Sequence, residues 1–508
     1  MGKTSAETDK KEFDARDASS LSLPAGAHDA AEPVADSGEG KLKMIVGLVK
    51  KCLGVKDIAT MRISLPASLL EPIPNLEYWN YLDRPDVFAT INDSDDNLMR
   101  MVAVLRFTFT KDLKFVHGKI CKPYNSVLGE YFRCHTSVTP LKYPANPNEP
   151  PIFPSHTLIS PNLSLAPPDQ APSETASVRS TTSTSGPNAA RSHKHRSSTG
   201  ATAGPAGAVD NNDAEPASPS DDRVRVVFLT EQVSHHPPIS SFYITAPERG
   251  IEACGVDQIS AKVVGTSVRV TPGSSNKGIF INLTKGPGSG EKYRITHNSA
   301  NVNGVLRGQF YATMSDVTIV TCDRPGKDSL RAIIEYKEES WIGRSQFLVE
   351  GVIHTYNPSD PDECASWTKV KSVPQSRVVA TFDGTWRGLI KWKRAGSSEA
   401  YPLVDLSNLA VLPKHVRPVE EQLPNESHRL WEDVTKNLLS KNYSEATRVK
   451  QNIEQKQRDD TASRKAKNEE FVPVYFEQDI SSGQPVLTSE GRKVIEEELA
   501  LAAAVPAS

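Results

Sequence analysis

The strongest constraint on the fold is a long series of short β-type segments that begins at residue 223. Segments such as VRVVFLTEQV, SSFYITA, GIFINLT and LRAIIEYKE are rich in β-branched and aromatic residues, and at least ten of them follow one another up to residue 394. Gly, Pro, Asn, Asp or Ser separate these segments, and no helical pattern intervenes. Strands joined by such short turns pair in antiparallel fashion. The sequence therefore predicts a mainly β fold, either a barrel or a sandwich.

Polar tracts and helical patterns surround and interrupt this β region. Residues 1–40 are polar and predict a disordered tail. Residues 145–222 contain 12 prolines and one aromatic residue, and strand-like sequence stops before them and resumes directly after them. This pattern predicts a disordered insertion inside a single domain that spans residues 41–475. Apolar residues at helical intervals predict C-terminal helices at about 417–470, and residues 476–508 are expected to form a tail.

The segment KLKMIVGLVKKCLGVKDI, residues 41–58, has the pattern of a short basic amphipathic helix. Its lysines lie off the apolar stripe. Two interpretations remain open: a terminal helix packed on the core, or a mobile element that covers an apolar opening or touches a membrane surface. The apolar stripe consists of Ile45, Leu48, Val49, Cys52 and Leu53.

Composition excludes several classes of protein. The net charge of −3 gives no global attraction to nucleic acid or to anionic membranes. The six cysteines are scattered without a CxxC pair, and the first 40 residues contain no apolar secretion signal. No stretch approaches the roughly 18 consecutive apolar residues of a membrane span. We therefore expect a cytoplasmic chain with reduced thiols, whose contact with membranes is peripheral.

The first candidate site is the octapeptide EQVSHHPP, which contains His235 and His236. Adjacent side chains on an extended strand point in opposite directions, and no Cys or Asp cluster lies nearby, so a zinc site is disfavoured. A structural role, with one histidine in the barrel wall and the other exposed, remains open. Recognition of an anion also remains open, because imidazole N–H groups donate well to phosphate oxygens.

Two further segments are candidates for the same chemistry. KPYNSVLGE places Lys122 before a proline turn that contains Asn125. Lys450, Glu454 and Arg458 follow each other at i, i+4 spacing on one face of a predicted helix. Ordinary surface lysines and a surface ladder of ion pairs would explain both segments. Alternatively, two cations held in place by the intervening carboxylate would face an anionic ligand.

Together, these segments resemble the oxysterol-binding protein family of lipid-transfer proteins. EQVSHHPP matches the signature of that family, and KPYNSVLGEYF resembles its upstream block. RPVEEQLPNESHRLWEDV resembles the C-terminal block, and KQNIEQKQR resembles its ending. The resemblance covers roughly residues 41–475 once residues 145–222 are treated as an insertion. The short N-terminal region is similar to that of the short, fungal-type members, which have no pleckstrin-homology domain.

The resemblance implies an incomplete antiparallel β-barrel around an apolar lipid tunnel, with residues 41–58 as a lid helix and a C-terminal helical region. The tunnel would hold one lipid at a time and exchange sterol for phosphatidylinositol 4-phosphate between membranes. It implies no covalent chemistry, and hence no enzyme activity, cofactor or metal. We expect a monomer without nucleic-acid partners, peripherally associated with the endoplasmic reticulum, Golgi or plasma membrane. By motif position, the lipid headgroup would contact Lys122, Asn125, His235, His236, Lys450, Glu454 and Arg458.

Alternative functions remain open. A lipid-sensing adaptor would bind lipid without moving it in bulk, and a hydrolase using the two histidines would release phosphate. The second cargo would be phosphatidylserine in one branch of the family, but RISLPASLLEP departs from the block of that branch and favours sterol. KEFDARD, residues 11–17, resembles a motif that binds an endoplasmic-reticulum receptor, with Glu12 in place of the aromatic residue. It predicts at most a weak receptor contact.

Overall fold

The computed structural model of the chain describes residues 46–47, 54–55, 57–58, 67–117, 120–159, 222–304, 310–324, 329–339, 345–360 and 362–504. The predicted disordered tail, residues 1–40, lies outside this part. So do residues 160–221, which form most of the predicted insertion. The five residues of the predicted lid stripe, Ile45, Leu48, Val49, Cys52 and Leu53, also lie outside it.

The predicted antiparallel β architecture is confirmed by a single sheet of 15 strands. The main path runs β1-β2-β3-β4-β6-β7-β10-β11-β12-β13-β14-β15, while β5 pairs with β4 and β8, and β9 pairs with β8. All of these pairings are antiparallel. The strands are β1 Tyr131–Val138, β2 Val224–His235, β3 Pro238–Ala246, β4 Ile251–Val264, β5 Ser267–Pro272, β6 Ile279–Leu283, β7 Lys292–Ile295, β8 Ser299–Asn303, β9 Tyr311–Ser315, β10 Val317–Asp323, β11 Ser329–Tyr336, β12 Leu348–Tyr356, β13 Val378–Thr385, β14 Leu389–Arg394 and β15 Tyr401–Asp405.

The α-helices of the described part lie before β1 and after β15. The first group contains one long helix, α3, and the second contains the longest helix of the described chain, α7. The helices are α1 Asn75–Tyr78, α2 Pro85–Ala89, α3 Asn97–Thr110, α4 Lys114–His117, α5 Ser427–Leu430, α6 Glu432–Leu439, α7 Tyr443–Lys467 and α8 Ser489–Ala504.

The barrel is incomplete, because β1 and β15 are the two ends of the strand path. The chain that follows β15 returns to the outer edge of β1. There the backbone N–H of His135 donates to the carbonyl of His415 at 3.1 Å, and the N–H of His415 donates back at 2.9 Å. The N–H of Tyr131 donates to the carbonyl of Asn425 at 3.1 Å. These bonds cover an edge that would otherwise present unpaired backbone groups.

Helix α3 fills the inside of the curved sheet. The Asp96 side chain caps its N-terminus by accepting from the N–H of Leu98 at 2.8 Å. The sequence predicts one apolar stripe, but every residue from Leu98 to Thr110 is buried, because the helix shares one apolar cluster with strands from both ends of the path. Arg100 is therefore buried as well, and its Nε donates to Glu291 Oε2 at 2.8 Å.

The C-terminal region differs from the predicted tail. Residues 489–504 form α8, and Val494 and Ile495 pack in one cluster with Tyr131 and Val227 of the sheet. The segment is rich in Glu, Ala and Leu, which favour helix, and its apolar face is buried on β1 and β2.

The ordered chain also extends further into the predicted insertion than expected. Residues 145–159 are described, and the backbone N–H of Ile159 donates to the carbonyl of Asn408 at 2.9 Å. The N–H of Ile152 likewise donates to the carbonyl of Lys142 at 2.7 Å. Backbone hydrogen bonds thus hold residues 145–159 in place, although their proline-rich sequence offers few apolar side chains for packing.

Candidate functional site

The histidine turn, residues 235–238, connects β2 to β3. The ring centroids of His235 and His236 lie 4.4 Å apart, and His236 is exposed. The prediction that the two side chains point in opposite directions is therefore wrong. The physical reason is that the β2–β3 register shifts between Gln232 and Ser234 and the chain then turns, so regular strand alternation ends before His236.

The lysine loop, residues 122–130, presents the second predicted group. Lys122 Nζ donates to Asn125 Oδ1 at 2.7 Å and to the carbonyl of Pro123 at 2.9 Å. Both Lys122 and Asn125 are exposed, although neighbouring protein atoms partly desolvate the lysine ammonium. This desolvation, followed by the positive charge of Lys450, lowers the pKa of Lys122 to about 8.

The third group lies on α7. Lys450 is only 3% exposed, and its Nζ donates to Glu454 Oε1 at 2.5 Å. The interpretation as a surface ladder is therefore wrong for this pair, although the spacing on one helix face is as predicted. Arg458 lies two turns beyond Lys450, is exposed, and donates from Nε to Gln455 Oε1 at 3.2 Å.

Backbone bonds join the lysine loop to the histidine strand. The N–H of Gly129 donates to the carbonyl of Gln232 at 2.9 Å, and the N–H of Gln232 donates to the carbonyl of Glu130 at 2.8 Å. Gln232 stands three residues before His235. The lysine loop and the histidine turn are therefore held at the same end of β2.

Aromatic packing joins the lysine loop to the helices. Tyr124 stacks on Trp431, with ring centroids 4.9 Å apart and planes at 29°. Trp431 in turn lies in one apolar cluster with Val434 of α6 and Ala446 of α7. This packing explains why the charge of Lys450 affects the pKa of Lys122, although more than 300 residues separate the two lysines in sequence.

The arrangement suits the binding of an anion. Ammonium, imidazole and guanidinium groups are all hydrogen-bond donors, and two cations near each other become more favourable when an anion lies between them. Within the described ranges, no group of three His, Cys, Asp or Glu side chains is placed to hold a metal ion. No helix of the described chain is long and apolar enough to cross a membrane.

A small, partly open pocket lies between helix α3 and the sheet. Helix α3 and the segment after it form one wall, and β9, β10 and β11, with the segments after β7 and β13, form the opposite wall. The lining residues are Thr108, Phe109, Lys111, Asp112, Val116, Thr296, Asn298, Met314, Thr318, Tyr336 and Trp386.

Sequence reasoning missed a set of polar residues inside the barrel. Tyr81 Oη donates to Asp257 Oδ1 at 2.8 Å, and burial raises the pKa of Asp257 to about 7. Burial lowers the pKa of His297, which lies against Tyr81, to about 3. Asp257 and His297 are both half-buried, as residues that line an interior space are. Their partners are distant in sequence, so no local pattern reveals them.

Sequence reasoning also missed two buried glutamates, Glu130 at the end of KPYNSVLGE and Glu231 at the start of EQVSHHPP. The Glu130 carboxylate accepts from Ser427 Oγ at 2.7 Å and from Trp431 Nε1 at 3.1 Å. Glu231 accepts from the N–H groups of Val474 and Tyr475, both at 2.8 Å. Glu231 thus holds the segment that leads to α8, whereas Glu130 contacts the helices that lead to α7.

Comparison with known proteins agrees with this architecture. The family model described as "Oxysterol-binding protein" matches residues 44–171 and 218–497. Oxysterol-binding protein-like protein 1 of Schizosaccharomyces pombe is 40% identical over 498 residues, which cover 91% of this chain and 92% of the relative. Human oxysterol-binding protein-related protein 8 is 29% identical over 264 residues, covering 51% of this chain and 27% of the relative.

Solved structures share the fold at lower identity. The Osh1 ORD domain in complex with cholesterol has a TM-score of 0.54 at 17% identity, covering 89% of this chain and 88% of the other. The Osh3 ORD of Saccharomyces cerevisiae in complex with PI(4)P has a TM-score of 0.53 at 15% identity, covering 90% and 93%. The curved antiparallel sheet with an internal helix is thus the fold of ORD domains. The chain belongs to the oxysterol-binding protein family.

Proposed function

We propose that this protein transfers lipids by binding one molecule at a time inside the barrel, and that it exchanges sterol for phosphatidylinositol 4-phosphate between membranes. One observation carries the proposal: the lysine loop that bears Lys122 is tied by backbone bonds to the histidine strand and by the Tyr124–Trp431 stack to the cluster that includes α7, the helix that bears Lys450. Two like charges held together are unfavourable in the empty protein and become favourable when an anion binds between them. A lipid phosphate monoester, with a charge of about −1.5 to −2 at neutral pH, is such an anion.

The contacts of the two lysines suggest separate roles for the predicted headgroup residues. Lys122, held by Asn125, and Lys450, held by Glu454, would donate to the phosphate from opposite sides. Glu454 would orient Lys450 rather than touch the phosphate. The histidine turn and Arg458 would contribute the remaining donors at the rim.

The second cargo is proposed from the relatives. The Osh1 ORD domain has been solved with cholesterol and with ergosterol, and the Osh3 ORD with PI(4)P. A sterol offers one hydroxyl and a large apolar surface, so its binding would depend on the interior of the barrel and not on the cationic site. Competition between the two lipids for one interior would make binding of one release the other.

Transfer by such a protein needs no covalent chemistry. A barrel that shields apolar lipid surface from water saves about 25 cal/mol per Å² during transit. Residues 41–58 would cover the opening during transit and contact the bilayer at each end, in a peripheral and transient manner. Collision with the membrane and lipid exchange would then limit the rate, with no enzymatic step.

The test is extraction of phosphatidylinositol 4-phosphate from liposomes by purified protein. Lys122→Ala and Lys450→Ala should each weaken extraction by about tenfold or more, because each removes a charge-assisted bond to phosphate. Lys436→Ala is the matched control, since Lys436 also forms an i,i+4 pair with a glutamate, Glu432, but is exposed on α6. Equal loss in all three variants, or no loss in the first two, would contradict the headgroup site.

The same liposomes separate the alternative functions. Sterol and phosphatidylserine should be offered beside the phosphoinositide, and transfer to acceptor liposomes should be followed. Displacement of the phosphoinositide by phosphatidylserine and not by sterol would keep the site and overturn the sterol assignment. Binding without transfer would instead indicate a lipid-sensing adaptor.

A further inference from the structure

Glu130 is a buried carboxylate that the proposed headgroup chemistry does not use. It closes the lysine loop and is 0% exposed. Its Oε2 accepts from the N–H of Val127 at 3.0 Å and from Trp431 Nε1 at 3.1 Å, while its Oε1 accepts from Ser427 Oγ at 2.7 Å. Burial raises the pKa of Glu130 to about 7.

The same residue joins the three elements that carry the proposed site. Its backbone carbonyl accepts from the N–H of Gln232 on the histidine strand. Its side chain holds Val127 within the lysine loop, and it also holds Ser427 and Trp431, which precede α6. Since Trp431 packs with residues of α6 and α7, a series of contacts connects Glu130 to the helix that bears Lys450.

Stability alone does not account for a carboxylate at this position. A buried carboxylate loses its hydration, and an apolar side chain of similar size would usually cost less. What the carboxylate adds is direction, because three donors fix its plane and the groups around it. A fully satisfied buried polar network specifies one arrangement of its neighbours where apolar packing tolerates several.

We propose that Glu130 is a positioning residue for the headgroup site, one that holds the lysine loop on the α5–α6 segment so that Lys122 and Asn125 face Lys450. The inference rests on the proposed function, since it concerns the same site. Glu130 contacts no lipid atom itself. Without its carboxylate, the loop would lose its hydrogen bonds to Trp431 and Ser427 and keep only the Tyr124 stack on Trp431, while the barrel interior stayed unchanged.

The test compares phosphoinositide binding with sterol binding in three variants. Glu130→Ala should weaken binding of phosphatidylinositol 4-phosphate by about tenfold and leave sterol binding within about twofold, because only the headgroup donors lose their alignment. Glu130→Gln should restore phosphoinositide binding to within about threefold. The amide oxygen would accept from Val127 and Trp431, and the amide nitrogen would donate to Ser427 Oγ, which already lies 3.2 Å from the Tyr131 carbonyl as its own acceptor.

Glu231→Ala is the matched control. Glu231 is also 0% exposed and also bonds through both oxygens, but to Val474 and Tyr475 instead of α5–α6. It should lower the melting temperature as Glu130→Ala does and leave phosphoinositide binding within about twofold. Equal loss of phosphoinositide binding in both variants, or loss of sterol binding in Glu130→Ala, would show a purely structural role and overturn the proposal.

A milder variant covers the case in which Glu130→Ala does not fold. Ser427→Ala removes a single donor and should weaken phosphoinositide binding by about threefold, with sterol binding unchanged. Unchanged phosphoinositide binding would overturn the proposal. Lys450→Ala, run in parallel, tests the headgroup site separately from the positioning role of Glu130. If Lys450→Ala has no effect, the headgroup site itself is wrong, whereas an effect of Lys450→Ala with none from Glu130→Ala refutes only the positioning role.

Discussion

The lowered pKa of Lys122 makes phosphoinositide binding depend on pH in the alkaline range. With a pKa of about 8 the ammonium is about three-quarters protonated at about pH 7.5 and about 3% protonated at about pH 9.5. A lipid phosphate has its second pKa near 6, so its charge does not change over this interval. If only the ammonium form binds, the affinity for the phosphoinositide should fall about 25-fold between the two pH values. The slope should steepen with pH and approach tenfold per pH unit at the alkaline end of this interval.

The assay is equilibrium binding of phosphatidylinositol 4-phosphate in detergent-free liposomes at constant ionic strength across this interval. Lys122→Arg is the control, because a guanidinium stays protonated throughout, and it should flatten the dependence even if its absolute affinity differs. Sterol binding should not change with pH. A flat profile for the native protein, or an equal slope in Lys122→Arg, would refute the assignment of the titrating group to Lys122.

Three further outcomes are expected. Replacing both His235 and His236 by alanine should abolish phosphoinositide extraction while sterol extraction remains, since a sterol presents only a hydroxyl; parallel loss of both ligands in a folded variant would count against the headgroup role. Glu130→Gln should stabilise the protein by up to about 3 kcal/mol more at about pH 8 than at about pH 4. The reason is that the Glu130 carboxyl has a pKa near 7 in the folded protein but its lower, ordinary pKa in the unfolded chain, so that ionisation above this ordinary pKa favours the unfolded chain. Denaturant unfolding at the two pH values measures this, and equal effects at both would contradict it. Gly351→Ala should lower stability by about 1–3 kcal/mol or more, because an added Cβ would lie 1.9 Å from Cζ of Phe382, and an unchanged melting temperature would contradict that packing.

Local patterns predicted the sheet well, for a physical reason. Short alternating segments between turn residues specify strands wherever one face is buried, and strands such as Tyr131–Val138 and Val224–His235 lie where the pattern places them. The C-terminal helix shows the limit of such patterns. Its composition favours helix, but whether it docks depends on the surface formed by Tyr131 and Val227, which lie far away in sequence.

The candidate site likewise has features that local sequence predicted and features that depend on contacts between distant residues. The i, i+4 spacing of Lys450 and Glu454 predicted their shared face, because helix geometry is local. Burial of that pair, and its closeness to Lys122, depend on the packing of Tyr124 against Trp431. These relations join residues about 300 positions apart, and no periodicity encodes them.

Partners of buried polar groups were the least predictable feature. Glu130 and Ser427 stand 297 residues apart, and Asp257 and Tyr81 stand 176 apart. A single carboxylate in a strand or loop sequence is compatible with exposure on the surface. Only the folded chain shows that these two are enclosed and hydrogen-bonded.

We propose that one interior serves two lipids and that the cationic site serves only one of them. The most direct test is a competition experiment in which protein loaded with labelled sterol is mixed with liposomes that contain increasing phosphatidylinositol 4-phosphate. We expect stoichiometric release of sterol in the native protein, and retention of sterol when Lys122 and Lys450 are both replaced by alanine. Simultaneous binding of both lipids, or equal release from the double variant, would contradict it.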